Sequence, residues 1–85
     1  MTELDKLRQE IDRVDGAIVP LLLERFEIVR RIGEEKKKAG LPVYNAAREE
    51  AVLSKVSALA PDQATAQALR SVYAQVMTAA KELEK

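Results

Sequence analysis

The chain has 85 residues, with 14 basic and 14 acidic side chains, a net charge of zero, 47% apolar residues, and neither cysteine nor histidine. A balanced charge leaves no global field to attract nucleic acid or anionic lipid, so any anion binding must come from local placement. The missing cysteines exclude a disulfide framework, a thiol nucleophile and a cysteine-based zinc site, and the missing histidines remove the commonest general base and metal ligand.

Eighty-five residues suit one small domain, near the size at which a lone hydrophobic core is marginal and association helps. Aromatics at 4% and charged residues at 33% fit a helical protein rather than a disordered one. The start MTELDKLRQE has no apolar core of a signal peptide, and no apolar run approaches membrane-spanning length. The expected location is the cytoplasm.

Residues 3–38 carry one helical pattern, in which Leu4, Leu7, Ile11, Val14, Ile18, Leu21, Ile28 and Ile32 recur at steps of three and four, apart from the position held by Arg25. Thr2 is the expected N-cap, with Glu3 and Asp5 at the positive end of the dipole. Lys36, Lys37 and Lys38 fill the last turn, before Gly40 and Pro42 stop the helix. Pro20 removes one backbone bond at about 3 kcal/mol and could split the segment in two. The apolar register continues across it, which favours one kinked helix.

After the connector GLPVYN, Asn45 can cap a second helix over about residues 46–60, with Val52, Leu53, Val56 and Leu59 inward. Asp62, following Pro61, can cap a third helix running nearly to the end, with Ala66, Leu69, Tyr73, Val76, Ala80 and Leu83 on one face. No strand pattern or repeat is present. The expected fold is all-α with three helices, the first about 54 Å long. Two shorter helices cannot cover that length, so an intertwined homodimer is expected.

Four cations stand out against this pattern. Arg25 interrupts the register Leu4, Ile11, Ile18, Arg25, Ile32, whose other members are all apolar. Buried charge is costly unless an opposite charge meets it, so a multiply charged anion is a candidate ligand. Lys36 extends the same face about 16 Å further along. Arg8 precedes Arg25 by about 25 Å of helix, too far to share one small molecule within a chain, although an antiparallel partner could bring it near. Arg48 and Glu49 begin the second helix, where a cation is mildly unfavourable. Glu84 ends the third helix on the face of Tyr73, Met77 and Ala80. Taken singly, these positions have ordinary explanations: a register-setting or snorkelling Arg25, a dipole-compensating Lys36, an Arg8 paired with Asp12, a solvated terminal Glu84.

The run LRQEIDRVDGAIVPLLLERFEIVRRIGEEKKKAGLPVYNAAREEAVL resembles the all-helical chorismate mutase family (AroQ type). The matching elements are LRxxID near the start, LLxxR in mid-helix, IGxxK, and PV followed five residues later by RE. The resemblance covers essentially the whole chain and implies one chorismate-mutase-like helical domain over residues 1–85. It further implies the rearrangement of chorismate to prephenate on the route to phenylalanine and tyrosine, without cofactor, metal or nucleophile. In that reaction, cations fix the conformer of a dicarboxylate and stabilise negative charge growing on an ether oxygen.

Carried over to this chain, the resemblance gives Arg25, and Arg8 of the other subunit, each a substrate carboxylate. Lys36 donates to the ether oxygen, Glu49 accepts from the ring hydroxyl, and Arg48 completes the cationic wall. Three positions depart from the family pattern. Asn45 stands where many members have Asp on the hydroxyl, and an amide can still make that bond. Ala80 stands where some have Ser on a carboxylate. Glu84 stands where many have Gln donating to the ether oxygen; an ionised carboxylate cannot donate, so Glu84 is expected to work protonated. The alternatives are an isochorismate pyruvate-lyase on the same fold and a non-catalytic helical dimerisation or regulatory module, solitary or cut from a larger enzyme.

Overall fold

Thr2 opens the first helix with a reciprocal cap, its hydroxyl accepting from the Asp5 N–H at 3.1 Å while the Asp5 carboxylate accepts from the Thr2 N–H at 3.3 Å. Two N–H groups that the helix itself cannot satisfy are thereby paired. The computed structural model describes residues 1–85 as three helices, α1 (Glu3–Ala39), α2 (Ala46–Ser57) and α3 (Gln63–Glu84). The fold is all-α, as expected. No helix is long and apolar enough to cross a membrane.

Pro20 lies inside α1 and does not split it. The helix stops at Gly40, whose φ of 69° is left-handed and whose N–H returns to the carbonyls of Lys36 and Lys37. The Leu41 N–H bonds the Lys36 carbonyl at 2.8 Å, completing the closure that a glycine there permits. Asn45 and Asp62 cap α2 and α3 through the N–H groups of Arg48 at 3.0 Å and Thr65 at 2.7 Å.

The second helix ends three residues sooner than expected. Bonds from Leu59 N–H to the Val56 carbonyl and from Ala60 N–H to the Ser57 carbonyl tighten its last turn. That tightening swings Leu59 off the packed face, and it is 79% exposed rather than inward.

The helix α3 packs on both others, while α1 and α2 do not pack together. Tyr73 lies near Arg25 and Glu84 near Gly33, so α3 runs parallel to the second half of α1. The core is small: the buried apolar residues are Val29, Val52, Met77 and Ala80. The face of α1 that α3 covers comprises Leu22, Phe26, Val29 and Gly33, all buried or half-buried. This differs from the stripe read in the sequence. Leu4, Leu7, Ile11, Val14, Ile18, Leu21, Ile28 and Ile32 are all exposed in the single chain. Two adjoining apolar faces share this helix, and periodicity alone registers only the longer of them.

Candidate active site

A cleft of about 170 Å³ lies where the second half of α1, the connector before α2, the first turns of α2 and the last turns of α3 converge. Its lining includes Arg25, Lys36, Asn45, Arg48, Glu49, Ala80, Lys81 and Glu84. Seven of the eight site residues expected from the sequence are therefore together. Arg8 is the exception: it lies on the exposed first half of α1, about 25 Å of helix from Arg25.

Each charged group has a distinct setting. Arg25 is half-buried, with its guanidinium 5.7 Å from the centre of the Tyr73 ring and no carboxylate at ion-pair distance. Arg48 is exposed at the start of α2 and likewise has no carboxylate partner. Lys36 is held from two sides, donating to the Val43 carbonyl at 2.7 Å and lying 2.6 Å from Glu84 Oε1. Glu84 is 9% exposed, and its Oε1 receives the ammonium at ion-pair distance but at angles unsuited to a hydrogen bond. Far from fraying into solvent, the end of α3 is seated on Gly33.

Glu49 is paired with Lys81, whose Nζ is 3.1 Å from Glu49 Oε2 and 4.9 Å from the centre of the Tyr44 ring. Nothing in the sequence pattern singled out Lys81. The signal available was its spacing, four residues after Met77 and three before Glu84, which sets it on the cleft face of α3. Asn45 spends its side-chain oxygen on the Arg48 N–H, leaving its NH₂ free to donate. Ala80 is buried in the wall and offers only a methyl group.

The cleft thus presents four cations against two carboxylates, a surplus of two positive charges on a small concave surface. Fixed donors around such a space suit a small dianion and negative charge developing within it. No three acidic side chains converge to hold a metal. Two carboxyl groups elsewhere are held below their ordinary values, Glu50 by the Arg70 guanidinium hydrogen-bonded to it and Asp62 by the Thr65 N–H.

Residues 7–85 match the sequence profile of the family chorismate mutase type II. A bifunctional chorismate mutase/prephenate dehydratase of Aquifex aeolicus is 39% identical over all of this chain and a quarter (25%) of its own length. An intracellular chorismate mutase of Mycobacterium tuberculosis is 38% identical over 71% of this chain and 57% of its own. The chain spans a quarter or less of the first curated relatives it matches. Among solved structures, form II of the chorismate mutase of Thermus thermophilus superposes with a TM-score of 0.89 at 34% identity, covering 98% of this chain and 94% of that one. With its sequence profile and its fold in agreement, the chain belongs to the chorismate mutase type II family.

Proposed function

We propose that this chain catalyses the rearrangement of chorismate to prephenate, in aromatic amino-acid biosynthesis, as one helical domain over residues 1–85. The observation that carries the reading is the convergence of Arg25, Lys36 and Arg48 on one cleft, together with Glu49 and Glu84. A concerted rearrangement needs a chair-like conformer and stabilised charge separation, both of which placed donors supply. Arg25 holds one carboxylate. Lys36, already pinned by Val43, donates to the ether oxygen. Glu49, assisted by the Asn45 amide, engages the ring hydroxyl, and Arg48 closes the cationic wall. Glu84, whose Oε1 lies 2.6 Å from Lys36, borders the ether oxygen and can supply a second donor there only as the neutral acid.

The second carboxylate is assigned to Arg8 of a partner chain. Support comes from the uncovered apolar residues Leu4, Leu7, Ile11, Val14 and Ile18, a stripe too long for a monomer to leave in water. An intertwined homodimer buries them and carries Arg8 towards the second subunit's cleft. The name of the mycobacterial relative, an intracellular enzyme, supports a cytoplasmic location.

The test follows loss of chorismate absorbance with purified protein and identifies the product. Prephenate establishes the mutase. Pyruvate release from isochorismate, with chorismate untouched, replaces it with the lyase reading. Inertness towards both leaves a helical dimerisation module.

A further inference from the structure

We infer that Lys81 is a positioning residue for Glu49, aiming one oxygen of that carboxylate at the ring hydroxyl of the substrate. This inference rests on the mutase reading of the cleft and deepens it. Lys81 lines the cleft and occupies Glu49 Oε2 at 3.1 Å, while no hydrogen bond or ion pair reaches Oε1. A carboxylate with one oxygen drawn into an ion pair and the other free is an oriented acceptor, since rotation about its terminal bond is otherwise broad.

The clamp draws on three elements. Glu49 comes from α2, Lys81 from α3, and the Tyr44 ring, 4.9 Å from the ammonium, from the connector between α1 and α2. Both partners of the ion pair are mostly shielded, with side chains 30% and 24% exposed, so their attraction is screened less than that of a surface pair.

The pairing also answers an electrostatic difficulty. An uncompensated Glu49 would repel an incoming dianion, and Lys81 cancels it locally while leaving Arg25 and Arg48 free to bind. Without Lys81 the lining keeps three cations against two carboxylates. Lys81 therefore has two separable effects, on overall anion affinity and on recognition of the hydroxyl.

A ratio of affinities isolates the second effect. A bicyclic ether dicarboxylate that mimics the transition state is titrated calorimetrically with and without its ring hydroxyl; both forms carry the same charge. The wild type is expected to prefer the hydroxylated ligand, and Lys81→Met to lose about tenfold of that preference, the scale of one charge-assisted hydrogen bond. Glu49→Gln loses it to a similar extent, and Lys81→Met adds little in that background. Lys81→Arg, which restores the ion pair, recovers most of the preference. Lys81→Gln reads the same ratio where the methionine disturbs folding. An unchanged ratio in Lys81→Met, or a wild type with no preference for the hydroxyl, overturns the inference. A protein that binds both ligands with the expected ratio but leaves chorismate unconverted refutes the mutase reading alone.

Discussion

Gly33 and Glu84 meet backbone to backbone: a Cβ on Gly33 would stand 2.7 Å from the Glu84 carbonyl oxygen and 2.9 Å from its Cα. That approach seats the end of α3 against α1 and sets Glu84 beside Lys36. Alanine at position 33 gains about 0.5–1 kcal/mol of helix propensity. It also drives a methyl into backbone that cannot rotate away, at about 1–3 kcal/mol. The expected net result for Gly33→Ala is a loss of about 1–2 kcal/mol in urea unfolding, with lower turnover as Glu84 shifts from Lys36. Gly16, with nothing within 4 Å and on the side of α1 away from Ile11 and Ile18, is the control. Gly16→Ala should stabilise by about 0.5–1 kcal/mol. Gains in both variants would show that α3 moves aside freely.

The contrast between those two glycines marks what the sequence could and could not disclose. The caps at Thr2, Asn45 and Asp62, the stop at Gly40 and the continuity of α1 through Pro20 are local, and local chemistry predicts them. Which face of α1 receives α3 is not local. Leu22, Phe26 and Val29 form a second apolar row beside the longer stripe, and only the close fit at Gly33 selects it. The cleft was partly legible because Arg25 interrupts an apolar register. Lys81 was not, since a lysine near a helix end is ordinarily solvated, and its partner Glu49 lies thirty-two positions earlier.

Removal of the two inner cations should be severe. Arg25 has no carboxylate at ion-pair distance, and Lys36 is fixed by the Val43 carbonyl at 2.7 Å. Donors preorganised in this way are each worth about 10²–10³ in turnover. Arg25→Ala and Lys36→Ala should each lower kcat/KM by at least that range, with circular dichroism unchanged. Near-normal turnover in either variant would remove that residue from the reaction.

Glu84→Gln tests the donor at the ether oxygen. A carboxylate accepts hydrogen bonds only, whereas the protonated acid and the glutamine amide can donate to an ether oxygen. The carboxylate paired with Lys36 at 2.6 Å cannot donate, so Glu84→Gln should raise kcat several-fold at fixed neutral pH. Unchanged turnover in Glu84→Gln would exclude Glu84 from the ether oxygen.

Acid should weaken the fold through Asp62. Its carboxyl is held below the ordinary value of 3.8 by the Thr65 N–H, so the unfolded chain takes up the proton first. The stability it contributes is complete above the unfolded value and drains away as pH falls through the lowered native one. Asn caps a helix about as well as Asp but does not titrate there. Asp62→Asn should therefore lose less melting temperature than wild type between about pH 6 and about pH 3. Equal losses would mean that the cap does not couple to protons.

The assignment of Arg8 to the partner's site can be tested by mixing two damaged proteins. On that assignment, Arg8→Ala and Arg25→Ala would each spoil both sites of a homodimer, because every site would need Arg25 from one chain and Arg8 from the other. In a mixed dimer the two lesions fall into the same site. The second site then takes Arg25 from the Arg8→Ala chain and Arg8 from the Arg25→Ala chain, and is intact. Random reassortment makes half the dimers mixed, so about a quarter of all sites recover when the proteins are unfolded and refolded together. Arg8→Ala and Arg25→Ala combined in one chain, mixed with wild type, provides the counterpart: its mixed dimers hold two singly damaged sites and lose activity relative to the unmixed proteins. Recovery in the first mixture requires both a dimer and a shared site, since monomers or self-contained sites would leave the mixture as inactive as its components.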